Sequence, residues 1–193
     1  MATRAIDIAL LPPDDVMDRA IAANTSLGEG RMITLNKETC LPHITLVMGC
    51  LADENLPVIK TLLQETAARF LPVALSVTSV SCGPAGNVAF QIEKTEPLLE
   101  LQRTLMKHVV PHLTYDPRPA MFNASKESAA VFAERDLTWV SNFQDHGGIA
   151  YNPHITLGVG RLEAPESFTF TATRLAICHL GGFCTCRNIL YEV

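Results

Sequence analysis

Three features are missing from this sequence, and each absence narrows what the protein can be. No run approaches 18 uninterrupted apolar residues, so no transmembrane helix is expected. The six cysteines include no Cys-x-x-Cys pair, and Cys184-Thr185-Cys186 alone is a weak metal signal, so we expect free thiols. An excess of basic residues is also missing. The net charge of −5 argues against a protein that grips long nucleic acid through its backbone.

The cysteines and the first residues together predict a cellular compartment. Free cysteines in apolar runs are typical of reduced, cytosolic proteins. A charge interrupts the apolar stretch of residues 1–7 and no cleavage-like site follows, so these residues do not resemble a signal peptide. We therefore expect a cytoplasmic protein that makes no contact with membranes.

Hydrophobic periodicity predicts an alternation of strands and helices. Alternation of apolar and polar residues, or a short apolar run, indicates a strand, and apolar residues spaced three and four positions apart indicate a helix. The stretch 115–148 shows the weakest pattern, with short helices expected at 125–135 and 137–143. The other predicted elements are strands at 5–11, 41–48, 73–78, 88–92 and 152–159, helices opening at Asp14, Asp53 and Thr95, and a hairpin of 168–180 with 184–193.

This order of elements predicts an α+β fold with a duplicated character. We expect one domain, residues 1–193, made of two intertwined lobes related by a pseudo-two-fold axis. Each lobe contributes an antiparallel sheet to a shared central cleft, and helices cover the outer faces. No linker rich in Pro, Gly and Ser divides the chain into two domains.

One short segment occurs twice. Residues 42–49 read PHITLVMG and residues 153–160 read PHITLGVG, with six of eight positions identical. Side chains two apart on a strand point to the same face. Each copy therefore presents a histidine beside a threonine, His43 with Thr45 and His154 with Thr156, while the intervening isoleucine faces a core.

Two imidazoles and two hydroxyls in one cleft suit phosphoryl chemistry. One histidine can act as general base and the other as general acid, because the imidazole pKa lies near 6.5. The two threonine hydroxyls can hydrogen-bond the phosphoryl oxygens, on which charge develops in the transition state. This chemistry needs no metal and no cofactor, and the sequence alone does not assign which histidine is the base.

The paired motifs resemble the two His-x-Thr/Ser motifs of the 2H phosphoesterase superfamily, which includes 2′,5′ RNA ligase-like proteins and 2′,3′-cyclic nucleotide phosphodiesterases. The resemblance implies a bilobal fold in which His43, Thr45, His154 and Thr156 form one catalytic site. It also implies a substrate that is a small nucleotide or an RNA end with a cyclic or 2′,5′-linked phosphate. We expect a monomer. The candidates for holding the rest of the substrate are Lys37, Tyr115, Trp139, Tyr151 and Arg161.

Several alternatives stay open. The repeated strands could be a duplication whose histidines are structural, since a buried histidine bonded to a carbonyl is common. A zinc site of His43, His154 and Cys40 would need a ligand spacing that the sequence does not show. The cleft could also hold a phosphate without catalysis. Finally, the same site could run in the direction of RNA ligation.

Overall fold

The computed structural model describes residues 2–83, 86–123, 134–163 and 167–193. Within them, helices and strands build a mixed fold with two antiparallel sheets, which confirms the predicted fold class. The strands are β1 (Thr3–Leu11), β2 (Ile44–Ala52), β3 (Val73–Cys82), β4 (Asn87–Ile92), β5 (Leu113–Thr114), β6 (His154–Val159), β7 (Phe168–Ala172), β8 (Arg174–Leu180) and β9 (Cys186–Glu192). The helices are α1 (Asp14–Ser26), α2 (Leu56–Phe70), α3 (Glu96–Val109), α4 (Glu134–Ser141) and α5 (Phe143–Ile149).

The two repeated segments lie in different sheets. The first sheet has the strand order β5-β2-β1-β8-β9, and the second has the order β6-β4-β3-β7. The strand β2 carries the first histidine–threonine pair, and β6 carries the second. These two strands approach each other across the gap between the sheets, so the pairs are brought together although they are distant in sequence.

The two faces of the first sheet have different neighbours. On the central strand β1, Ile6, Ile8 and Leu10 face the main core, which also contains the apolar stripe of α3. By alternation, Asp7, Ala9 and Leu11 lie on the opposite face. Ala9 and Leu11 pack there in a second, smaller apolar cluster. Asp7 is a charged residue type at the centre of this otherwise apolar strand, and it is fully buried.

A β-bulge follows each threonine. The pairing of β1 with β2 runs from Ile8 opposite Val47 to Ala9 opposite Thr45, which leaves Leu46 without a partner. The pairing of β4 with β6 jumps in the same way at Leu157. A bulge bends its strand and redirects nearby side chains, and bulges are frequent next to active sites.

Buried amides from two helices bind the backbone at the bulges. Asn24 of α1 donates from Nδ2 to the carbonyl of Leu157 at 2.6 Å and to that of Ile33 at 3.0 Å. Its Oδ1 accepts from the Leu35 amide at 3.0 Å. At the other bulge, Gln102 of α3 donates from Nε2 to the carbonyl of Gly147 at 2.8 Å and more weakly to the carbonyl of Leu46 at 3.5 Å. Since a buried carbonyl needs a donor, these amides stabilise the bulged conformation.

Some elements differ from the sequence-based predictions. Residues 168–180 are not one strand. The chain leaves the second sheet after β7 and enters the first sheet at β8, with Thr173 between them. Asp53 lies in a 3-10 turn, residues 53–55, and does not cap α2. The helix expected at 137–143 is present as α4, whereas most of the helix expected at 125–135 lies outside the described residues. Among those residues, no helix is long and apolar enough to span a membrane.

The hydrogen bonds of Asn24 generate a stability prediction. We expect Asn24→Ala to lower the free energy of unfolding by about 2–4 kcal/mol, because it leaves buried backbone groups without partners. Thr25→Ala, at the next and exposed position, is the matched control and should change it by less than about 0.5 kcal/mol. Urea denaturation followed by circular dichroism measures both. Equal effects of the two substitutions would show that the Asn24 amide does not anchor the bulge.

Candidate active site

The two histidine–threonine pairs line one cleft. This cleft has a volume of about 560 Å³, and His43, Thr45, His154 and Thr156 are all among its lining residues. The isoleucines between them, at positions 44 and 155, are fully buried behind the strands. The side chains are therefore placed together as the alternation predicted, and their catalytic role stays a prediction.

Both imidazole rings are oriented by the same kind of hydrogen bond. Nδ1 of His43 lies 2.7 Å from the carbonyl of Leu41, and Nδ1 of His154 lies 2.7 Å from the carbonyl of Asn152. A carbonyl can only accept, so Nδ1 carries a hydrogen in each ring. In the neutral form of either ring, Nε2 is then the nitrogen that can accept a proton.

The two histidines differ in their surroundings. His43 is 9% exposed, whereas His154 is partly exposed. The pKa of His43 is lowered to about 4, chiefly by burial and to a smaller extent by the nearby His154, while the hydrogen bond to Leu41 acts in the opposite direction. His43 is therefore neutral near pH 7, with the lone pair of Nε2 available.

Asp7 is a member of this site that the motif did not reveal. Its Oδ2 lies 2.6 Å from Oγ1 of Thr45 and 3.5 Å from Nε2 of His43. The carboxyl is fully buried, and burial raises its pKa well above the usual value although the bond to Thr45 lowers it. The sequence carried one signal for it, namely a carboxylate in the middle of an apolar strand.

Among the described residues, the second sheet has no carboxyl at the position equivalent to Asp7. The ladders align Asp7 opposite Met48 and Asn87 opposite Val159, each three residues after the threonine of its strand. Asn87 is exposed and lines the cleft. Within the described part of the chain, the hydroxyl of Thr156 makes no hydrogen bond, so it is available to a ligand.

Three side chains at the buried end of the site, around His43, offer atoms of the kind that bind a metal ion. One potential ligand atom each from Asp7, His43 and Cys186 lies within 4.8 Å of the others. However, the Thr45 hydroxyl already occupies Oδ2 of Asp7, and burial raises the pKa of the Cys186 thiol, which opposes the thiolate that a metal needs. We assign no metal to this cluster. Cys40, the third ligand of the zinc alternative, does not belong to it.

Basic and apolar side chains surround the site. Of the five substrate-holding candidates, Trp139 and Tyr151 line the cleft, whereas Lys37, Tyr115 and Arg161 lie elsewhere. Tyr151 donates its hydroxyl to the carbonyl of Thr45 at 3.1 Å and so links the two lobes. The sequence did not single out four further lining residues, because loops and α4 bring them in: Arg31, Met32, Arg135 and Phe183.

The sequence matches one known family. A model of the 2′-5′ RNA ligase superfamily matches residues 35–177, about three quarters of the chain, including both histidine–threonine pairs. No curated protein matches the chain significantly.

Solved structures share the fold. The protein TT0787 of Thermus thermophilus aligns with a TM-score of 0.64 and 17% identity over 97% of this chain and 96% of its own. Escherichia coli LigT, crystallised with NADP+, aligns with a TM-score of 0.58 and 14% identity over 99% and 97%. A protein described as a phosphoesterase gives 0.55 and 14% over 98% and 97%. At these identities the likeness shows the architecture and no more.

The burial of His43 predicts a pH dependence of stability. The unfolded chain binds a proton at His43 below about pH 6.5, whereas the folded protein does not until about pH 4. The contribution of His43 to the free energy of unfolding should therefore decrease as pH falls through this window, and His43→Asn should remove that contribution. Urea unfolding at stepped pH measures it, with the exposed His108→Asn as control. An unchanged slope in His43→Asn would contradict the depressed pKa.

Proposed function

The chain belongs to the 2′-5′ RNA ligase superfamily, and from this premise we propose that it is a metal-independent phosphoesterase. The proposed substrates are small nucleotides or RNA ends that carry a 2′,3′-cyclic or 2′,5′-linked phosphate. One observation carries the proposal: two His-x-Thr strands meet in a single cleft, and each imidazole is fixed through Nδ1 by a backbone carbonyl.

The two histidines have different surroundings, and on this basis we assign them different proton-transfer roles. Near neutral pH, His43 is an uncharged imidazole, so it suits the general base that takes a proton from an attacking water. His154 is the partly exposed member of the pair, and we assign it the role of general acid. Water forms the new bond to phosphorus, the bond to the leaving ribose oxygen breaks, and that oxygen receives the proton of His154. The cycle ends when His43 returns its proton to solvent and His154 regains one.

The threonines and the rim supply binding. Hydroxyl donors from Thr45 and Thr156 can stabilise the charge that grows on the phosphoryl oxygens. Arg31 and Arg135 add positive charge to the cleft of a chain whose net charge is −5. Of the large hydrophobic side chains that are exposed in the described residues, Met32 and Trp139 are 58% and 55% exposed, and both line the cleft. A nucleobase is a ligand whose flat apolar faces suit such a rim. LigT, a protein of this fold, was crystallised with a nucleotide.

Substitution of each histidine tests the proposal directly. We expect His43→Asn and His154→Asn each to lower kcat/KM by roughly 10²–10⁴-fold, because Asn keeps the bond to the carbonyl but cannot transfer a proton. The assay uses 2′,3′-cyclic AMP and a 2′,5′-linked adenylate dimer with EDTA present throughout. His108→Asn, at an exposed position of α3, is the matched control, and it should retain full activity.

Three results would contradict this function. Turnover that requires zinc or manganese would replace the two-histidine mechanism with a metal-dependent one. Full activity in either folded histidine variant would separate that histidine from the site. Absence of turnover in the unmodified protein, with nucleotide binding that weakens in Thr156→Val, would favour a binding module.

Trp139 provides a test of the substrate class. We expect Trp139→Ala to raise KM for 2′,3′-cyclic AMP by roughly 5–100-fold, since stacking of one base on an aromatic ring contributes about 1–3 kcal/mol. Hydrolysis of glycerol 1,2-cyclic phosphate, which has no base, should be unaffected. Trp139→Phe should preserve most of the affinity, and Val58→Ala, an exposed apolar position on α2, is the control. An equal loss on both substrates would argue against base stacking.

A further inference from the structure

The buried Asp7 has no role in the two-histidine scheme, although it contacts both members of the first pair. Resting on the proposed function, we propose that Asp7 is a positioning residue that acts as a neutral carboxylic acid. Its acid hydrogen is donated to Oγ1 of Thr45, which leaves the hydroxyl hydrogen of Thr45 free for the phosphate. The same neutral state leaves Nε2 of His43 without a proton.

The distances decide which atom receives the acid hydrogen. Oδ2 lies 2.6 Å from Thr45 Oγ1, a normal distance between two hydroxyl-type oxygens, but 3.5 Å from His43 Nε2, which is too long for a good hydrogen bond. Oδ1 is buried and has no partner among the described residues. A hydrogen on Oδ1 would therefore be a buried, unpaired donor, whereas a hydrogen on Oδ2 has Thr45 as its acceptor.

The tautomer of His43 points to the same protonation state. Nδ1 carries the ring hydrogen, so the neutral ring presents the lone pair of Nε2 towards Oδ2. An ionised Asp7 would face that lone pair with a negative charge and draw a proton onto Nε2. His43 would then be an imidazolium beside a carboxylate and could not accept a proton from water. A neutral Asp7 avoids this.

The hydrogen bond to Thr45 lowers the pKa of Asp7, but the other groups that face Asp7 do not favour its ionised form. Besides Thr45 and His43, they include Cys178 on β8, which is its ladder partner, and Cys186 on β9. Asp7 also influences the pKa of Tyr151 and of Cys184, and burial raises the pKa values of these two groups and of Cys186. Within the described residues, Asp7 forms no ion pair with a lysine or arginine. Burial without a permanent cation opposes a carboxylate there.

Replacement by asparagine or leucine separates a neutral acid from a carboxylate. Asp7→Asn keeps a hydrogen donor towards Thr45 and should retain kcat within about tenfold. Asp7→Leu keeps the volume but removes the donor, and should lower kcat by about 10²–10³-fold with a smaller change in KM. Asp7→Ala replaces Asp7→Leu if leucine does not fold. Thr45→Val should lose as much, and the double variant no more than the larger single loss, because the two residues act as a unit.

Unfolding provides a readout that is independent of turnover. Because the folded pKa of Asp7 is raised, its stabilising contribution is complete below about pH 3.8 and is lost as pH rises towards the folded pKa. Asp7→Asn does not titrate. The stability of Asp7→Asn relative to the unmodified protein should therefore increase with pH above about 3.8.

The outcomes distinguish this inference from the proposed function. An unmodified protein that turns over no substrate defeats the proposed function, and the unfolding data alone then decide the state of Asp7. If the difference in free energy of unfolding between Asp7→Asn and the unmodified protein did not change with pH, Asp7 would not be a neutral acid in the folded state. An Asp7→Asn variant as impaired as Asp7→Leu would also overturn the neutral acid, because it would show that the negative charge is needed. Full activity of folded Asp7→Leu would remove Asp7 from the site altogether.

Discussion

The site depends on one backbone constraint, which is that each bulge must find hydrogen-bond donors inside the protein. The ladders skip Leu46 and Leu157. The carbonyl of Leu46 accepts a weak hydrogen bond from the buried amide of Gln102, and the carbonyl of Leu157 accepts a strong one from the buried amide of Asn24. A carbonyl left unpaired in such a place would cost about 1–3 kcal/mol, so the helices are tied to the strands at the positions next to the threonines. Burial of the isoleucines fixes the strand face on which each histidine–threonine pair lies, and the bulges fix the direction of the strand directly after each threonine.

The same motif then acquires two different chemical environments. Equivalent positions in the two ladders hold Asp7, which is buried, and Asn87, which is exposed. Around His43 the site is enclosed by buried side chains, and around His154 it opens to solvent. Because an imidazole takes its pKa from its surroundings, different surroundings favour different protonation states in two identical motifs. The difference in burial between His43 and His154 provides that asymmetry without any change in the motif itself.

The sequence predicted what depends on local pattern, and the repeat was its strongest signal. Alternation placed each histidine beside its threonine, and helical spacing located α1, α2 and α3. The split of residues 168–180 between two sheets was missed, because Thr173 interrupts no apolar pattern and the switch is a tertiary choice. Asp7 was missed as a site residue for a related reason. Its contact with Thr45 joins two strands that are 38 positions apart, and nothing within β1 alone shows what lies opposite. Most of 125–135 lies outside the described residues.

The proposed neutral Asp7 and the proposed mechanism without metal both depend on the same protonation states. A zinc ion in the cluster of Asp7, His43 and Cys186 would require a carboxylate, a thiolate and the lone pair of Nε2. That lone pair is the one that a general base uses, so metal binding and proton transfer by His43 exclude each other. The surroundings favour the uncharged forms, since burial raises the pKa values of Asp7 and Cys186 and lowers that of His43. The same apolar surroundings therefore disfavour a metal ion and keep His43 neutral, the state that the proposed general base starts from.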